Sequence, residues 1–357
     1  MARLARREMI DPAEVQICHT ISRCVRRAFL CGDDPVSGES YEHRRQWIRD
    51  RLEFLASVFG IDCLTYAVMS NHIHLVLRSR PDVVASWTDE EVARRWLRLF
   101  PVRRDKDGSA AEPEESEVAA IVNQAEVLAE RRRRLSDISW WMRCTTEHIA
   151  RRANREDRCT GHFWEGRYKC QVLLDEASLL ACAAYVDLNP VRAAMAETPE
   201  ESAFTGAKDR IDDLSAEKKT GQKKRRSRER TRLGPKSGWL SPVEADGSRD
   251  PVGPDACDSG RRASRKGFLP VSLCEYLALL DWTGRQLRND KRGSIPSQLA
   301  PILQRLGLDA PEWCDLVKEF GRTFKRVAGT SEHLAEEANR RGQRWLQSPG
   351  NPLTVAG

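Results

Sequence analysis

The chain has 357 residues, 40% of them hydrophobic and 31% charged, which is room for one sizeable core and for two or three domains. No apolar run reaches the roughly eighteen residues of a membrane span, and no signal-type apolar segment follows the basic stretch Met1–Met9. Eleven cysteines without a C-x-x-C pair argue against a disulfide framework and a structural zinc site, so reduced thiols and a cytoplasmic location are expected.

In chain order, Val15–Ile21 alternates and is β-branched, which predicts a first strand. Trp47, Ile48, Leu52, Leu55 and Phe59 recur at three- and four-residue intervals and predict an amphipathic helix over 41–59, ended by Gly60. Cys63–Leu77 then reads as two strands or one long bent strand, with Met69-Ser70-Asn71 as turn or bulge. Side chains alternate across a strand, so Ile73, Leu75 and Leu77 take the core face and His72 and His74 share the other.

Residues 81–136 read as an insertion. It comprises a helix over 87–100, a polar and mobile loop over 103–116, and a charged helix over 117–135 that ends in Arg131–Arg134. A further helix, 137–154, carries Ile138, Trp141, Met142, Thr145 and Ile149 on one stripe. The block Gly161–Lys169 leads into a strand over 170–174, and Asp175 is a good N-cap for the next helix. Tyr185 lies beside that helix's apolar stripe, and Pro190 ends the helix and biases Asn189 away from helical geometry.

Past Phe204 periodicity fades. Residues 216–236 hold ten Lys or Arg against two Glu, a local +8 in a chain whose net charge is +6. We read 212–265 as a disordered basic linker. Helical patterns over 271–282, 297–306, 311–327 and 331–346 predict a small all-helical accessory domain over 266–348.

A His-x-His pair on one strand face can hold a divalent cation. A tyrosine and an amide spaced i, i+4 stand one above the other on a helix, so one helix offers a nucleophile and a third ligand. Each part alone has a bland reading: surface imidazoles, a helix-surface tyrosine, and a turn residue before proline. The pair of histidines on a Val/Leu/Ile-rich strand is costly without a partner, and the second half-site supplies one.

His72-Ile73-His74 matches the HUH motif (His, hydrophobic, His), and Tyr185-Val186-Asp187-Leu188-Asn189-Pro190-Val191-Arg192-Ala193 is close to Tyr-Ile-x-x-Asn-Pro-Val-Arg-Ala. With Ser70–Leu77 and Gly161–Lys169, four ordered blocks over about residues 10–205 resemble the HUH tyrosine transposases. The nearest branch is that of the REP-associated tyrosine transposases, relatives of the single-strand insertion-sequence enzymes. The resemblance implies an α+β, ferredoxin-like (RRM-like) antiparallel sheet over 10–210, with helices packed on the face opposite the histidines. It implies Tyr185 as nucleophile, and His72, His74 and Asn189 as ligands of Mg²⁺ or Mn²⁺. The insertion-sequence relatives commonly have Gln at the place of Asn189, and the insertion 81–136 departs from the compact family pattern. Asp281–Arg285 resembles extensions seen in some members.

The implied activity is cleavage and rejoining of single-stranded or hairpin DNA through a 5′-phosphotyrosine. A cation held by two imidazoles and an amide oxygen keeps positions open for phosphate oxygens, and covalent catalysis at a phenol conserves the bond energy for rejoining. A phenol's ordinary pKa is about 10, so Arg167, Lys169 and Arg192 are candidates to favour its ionised form and to contact DNA. Trp164, with Trp140, Trp141 and Phe163, is a stacking candidate, and Lys223, Lys224, Arg225, Arg226 and Arg131–Arg134 are candidates for salt-dependent phosphate contacts.

A tyrosine on a helix beside a sheet reaches a single strand or hairpin end more easily than regular duplex. Expected partners are therefore such DNA and no membrane, at a nucleoid-associated location, with the chain a monomer or a homodimer. The competing readings are an RRM-like single-stranded nucleic-acid binder without catalysis, a 2H phosphoesterase, and a domesticated hairpin-DNA-binding relative. The strands carry His instead of paired aromatics, and no second His-x-Ser/Thr motif pairs with His72.

Overall fold

The computed structural model describes residues 10–25, 30–34, 38–106, 108–221, 234–245, 253–287, 300–306, 308–343 and 346. Strand β1 (Ile17–Arg23) is followed by α1 (His43–Val58) and the hairpin β2 (Ile61–Val68) and β3 (His72–Ser79), with Met69-Ser70-Asn71 as its turn. The insertion holds α2 (Pro81–Ala85), α3 (Asp89–Leu99), α4 (Glu115–Val122) and α5 (Ala125–Arg134). Next come α6 (Ile138–Glu156), β4 (Lys169–Leu173), α7 (Glu176–Asp187) and the single turn α8 (Asn189–Arg192). The remainder is α9 (Gly206–Gly221), α10 (Leu273–Leu287), α11 (Ala300–Arg305), α12 (Ala310–Thr323), β5 (Val327–Ala328) and α13 (Ser331–Arg340).

The fold is α+β, with a mixed five-stranded sheet in the order β2-β3-β1-β4-β5. The four long strands pair antiparallel; β5 adds to β4 in parallel, which the expected all-antiparallel sheet did not include. Register pairs Ile21 with His74 and with Lys169, and His19 with Val76 and with Gln171. These side chains therefore share one face of the pleat. On the other face Cys18, Ile73, Leu75, Leu77 and Val172 pack with Ile48, Leu52 and Leu55 of α1 and Trp141 and Met142 of α6. Thr20 marks that side, its hydroxyl 3.3 Å from the Met142 sulfur.

The histidine face is covered by α7, whose Asp175 cap accepts from Ser178 N at 2.8 Å as expected. Nearly every side of α7 is buried, because α10 and α12 pack on it from outside. Leu180, Ala184 and Leu188 join Tyr276, Leu280, Trp313 and Phe320 in one continuous apolar cluster with Val76 of the sheet. The C-terminal helices thus share an apolar core with the sheet's second face. Buried Asp187 is the tie: Thr65, Tyr276 and the Ala207 amide all donate to it, at 2.6, 2.6 and 2.9 Å.

Parts of the stretch 212–265 are among the described residues. Residues up to 221 continue α9, and Trp239 and Leu240 are buried beside β2, where the Ser241 amide donates to the Cys63 carbonyl at 2.9 Å. Ser264 donates to buried Asp62, which also receives Arg78. The apolar residues that anchor this strap have no helix or strand period, so pattern reading passed over them. The charged helix expected over 117–135 is broken at Asn123-Gln124 into α4 and α5, and the 103–116 loop is closed by a bridge between Arg104 and Ala110. No helix of the described residues is long and apolar enough to cross a membrane.

Candidate active site

β3 delivers His72 and His74 to the face that α7 covers, and the α7–α8 junction delivers Tyr185 and Asn189 to the same place. Leu188 caps α7, so Asn189 opens the one-turn helix α8 instead of finishing α7. That turn folds the amide inward: Asn189 is 7% exposed, with Nδ2 3.0 Å from His74 Nε2. The Tyr185 ring meets the His74 ring edge-on at 5.6 Å, and the His72 and His74 rings stand 4.7 Å apart. Four residues from two sequence blocks more than a hundred positions apart are thus brought together.

A fifth joins them that sequence reading missed. His19 of β1 stacks on His74, with centroids 5.1 Å apart and planes 13° apart, and meets Tyr185 edge-on at 5.9 Å. Its Nδ1 lies 3.3 Å from the Gln171 side-chain oxygen, which accepts only, so Nδ1 carries the proton and Nε2 is bare. Nε2 of His19 then accepts from Nδ1 of His74 at 2.9 Å, which leaves the Nε2 lone pair of His74 facing Asn189. One run of hydrogen bonds, from Gln171 through His19 and His74 to Asn189, sets both tautomers. Only a lone His on a strand was visible in the sequence, and its neighbours lie 55 and 152 residues away.

Electrostatics keep these rings neutral. Burial pulls His19 down to about 4 against a weaker opposing hydrogen bond from Gln171. Burial, and then Arg23, His19 and Lys169, lower His72 to about 4. His74 falls well below the ordinary imidazole value, through burial and then its two histidine neighbours. Neutral imidazole is the form that ligates a metal.

His19, His72, His74 and Tyr185 line a cleft of about 590 Å³. Arg167, Lys169 and Arg192 line it as well, together with Arg23. The Arg192 guanidinium carbon stands 4.5 Å over the Tyr185 ring, and its Nη2 donates to the Lys318 carbonyl at 2.6 Å. Trp164 is not among the lining residues, and its indole N–H donates to the Thr146 carbonyl of α6 at 2.8 Å. Trp141 and Phe163 are buried in the core on the opposite face, and Trp140 lies among Trp96, Arg134 and Arg143.

The Arg131–Arg134 run is likewise engaged within the insertion. Arg132 donates to the Val84 and Trp87 carbonyls, Arg133 and Arg134 pair with Glu130, and Arg131 covers Trp96. Lys223, Lys224, Arg225 and Arg226 lie outside the described residues.

Among the described residues no group of three or more His, Cys, Asp or Glu is arranged to hold a metal ion. The available donor set is two imidazoles and an amide. In this structure Asn189 Nδ2 faces His74 Nε2 and donates to it at 3.0 Å, so the amide oxygen is the atom of Asn189 that could ligate.

No family model and no curated protein matches the chain. A solved structure described as a REP-associated tyrosine transposase bound to a REP hairpin is similar over 53% of this chain and 75% of its own. Its sequence identity is 10% and its TM-score 0.31. A likeness that loose carries neither fold nor function, which rest on the residues themselves.

Proposed function

We propose that this chain is a metal-dependent DNA endonuclease and strand transferase of the REP-associated tyrosine transposase type, acting on single-stranded or hairpin DNA. The observation that carries the reading is the convergence of Tyr185, His72 and His74 on one cationic cleft, with Asn189 buried against His74. The strand order β4-β1-β3-β2, with α1 and α6 on the face opposite the histidines, supports a ferredoxin-like core, to which β5 and the C-terminal helices are additions. Such a substrate implies a cytoplasmic, nucleoid-associated location.

In this reading Tyr185 Oη attacks the scissile phosphorus, the P–O3′ bond breaks, and the 3′ oxygen leaves as a hydroxyl after taking up a proton. The protein keeps the 5′ phosphate as an ester of Tyr185. Attack by a later 3′-hydroxyl reverses the step and joins strands. His72, His74 and the Asn189 oxygen are the residues that would hold a Mg²⁺ or Mn²⁺, which would supply Lewis-acid chemistry for the phosphate oxygens. The chain's own contribution is placement. Arg192 lies over the phenol ring, and Arg167 and Lys169 stand at the sheet edge to take flanking phosphates.

The test is a panel of end-labelled hairpins with single-stranded flanks, incubated with Mn²⁺ or with chelator. Cleavage by wild type that needs the metal and is absent in Tyr185→Phe supports the reading. Hairpin binding without cleavage on any substrate favours the domesticated binder instead.

A further inference from the structure

The nuclease reading uses the sheet and α7–α8 but leaves α12 without a role, although α12 closes the opposite side of the cleft. Phe320 roots it there, with ring centroids 5.7 Å from Tyr185, 6.4 Å from His19 and 5.1 Å from Phe324. The hydrogen bond from Arg192 to the Lys318 carbonyl fastens it to the end of α8. At the next position the chain carries no side chain: a Cβ on Gly321 would lie 2.8 Å from the Tyr185 hydroxyl oxygen. A bare backbone therefore leaves the hydroxyl its room, and anything reaching that oxygen passes along this face of α12.

The same face is basic. Lys318 and Arg322 are four residues apart, hence on one side of the helix, and Lys325 follows just beyond its end; all three are exposed and line the cleft. Across from them stand Arg23, Arg167 and Lys169, and the only lining carboxylates are Glu165 and Glu319. Glu319 pairs with Arg322 at 3.2 Å, but Arg322 is 85% exposed, and an exposed ion pair of this kind is weak enough for a phosphate to replace.

We propose that α12 is the second wall of a bipartite DNA cleft, with Lys318, Arg322 and Lys325 holding backbone phosphates that flank the one at Tyr185. The inference rests on the nuclease reading and deepens it: the strand runs between the sheet edge and a helix from the far end of the chain. The ligand is a single-stranded polyanion, and the contacts are independent of base sequence.

The test is fluorescence anisotropy of a labelled hairpin with a single-stranded flank, titrated with the full chain at several salt concentrations. Each phosphate contact on single strands contributes about 0.7 to the slope of log affinity against log salt. The triple variant Lys318→Gln, Arg322→Gln, Lys325→Gln should bind with a slope shallower by about 2. The charge-keeping variant Lys318→Arg, Arg322→Lys, Lys325→Arg should restore it. A control triple on exposed α6 cations of the opposite face, Arg143→Gln, Arg151→Gln and Arg155→Gln, should move the slope by less than half as much.

An unchanged slope in the first variant, with wild type binding DNA, overturns the α12 proposal and leaves the nuclease reading standing. An equal loss in the control also overturns it, since bulk charge would then suffice. Wild type that binds no DNA refutes both readings.

Discussion

Replacing His19 by phenylalanine tests how His74 is held in the geometry proposed to bind a metal. His19 Nε2 receives the Nδ1 proton of His74 at 2.9 Å, with both rings 2% exposed. Phenylalanine keeps a flat ring of similar size but offers no acceptor. The orphaned N–H costs about 1–3 kcal/mol in so dry a place. His74 escapes that cost by moving its proton to Nε2 or by rotating, and either change removes the lone pair from the side of Asn189. At about 1.4 kcal/mol per factor of ten, metal affinity should fall roughly 5- to 150-fold, which overlaps the tenfold to hundredfold typical of losing an outer-shell partner. The assay is calorimetric titration of the full chain with Mn²⁺. His19→Gln puts a side-chain oxygen back in reach and should recover most of the affinity. A His19→Phe protein that binds Mn²⁺ as tightly as wild type refutes the reasoning, as does a His19→Gln protein that is as weak as His19→Phe.

Other outcomes follow from the same structure. Asp62 is fully buried and receives Arg78 at 2.8 and 3.0 Å and the Ser264 hydroxyl at 2.7 Å. Asp62→Ala strands a buried guanidinium and should cost about 3–5 kcal/mol in urea unfolding, with faster proteolysis within 253–267. Tyr276→Phe loses one charge-assisted bond to Asp187 and should cost about 1.5–3 kcal/mol. Unfolding should stay a single transition, because the C-terminal helices share their core with the sheet; two transitions would contradict that packing. The acid response follows from His19, lowered to about 4, and His74, lowered further. The folded protein binds fewer protons there than the unfolded chain, whose imidazoles titrate near ~6.5. Their contribution is therefore whole above ~6.5 and lost as pH falls towards 4, by up to ~1.4 kcal/mol per pH unit for each ring. Urea midpoints at pH 7 and pH 5 should show this loss, and a flat profile would contradict it.

Local pattern carried the sequence reading as far as local pattern reaches. Strand alternation put His72 and His74 on one face, and helical spacing with Asp175 and Pro190 bracketed Tyr185 and Asn189. Every one of those inferences uses residues within a few positions of one another. The Asn189 turn was visible only as a break at Pro190; the inward amide comes from packing against His74. His19, Gly321 and the basic face of α12 were invisible because their meaning lies in what they meet across the fold. Trp239 and Leu240 were hidden for another reason: a strap that buries isolated apolar residues has no period to detect. The partners of Trp164 and of the Arg131–Arg134 run, the Thr146 carbonyl, Glu130 and the Trp96 ring among them, could not be read from composition.

The most direct test of the central claim is mass spectrometry of a tryptic digest after incubation with hairpin DNA and Mn²⁺. Cleavage after Lys169 and Arg192 releases residues 170–192, in which Tyr185 is the only tyrosine. The account predicts that this peptide carries the 5′-phosphorylated DNA fragment on Tyr185. DNA that is cut while the adduct sits on another peptide, or while no adduct forms, would contradict it.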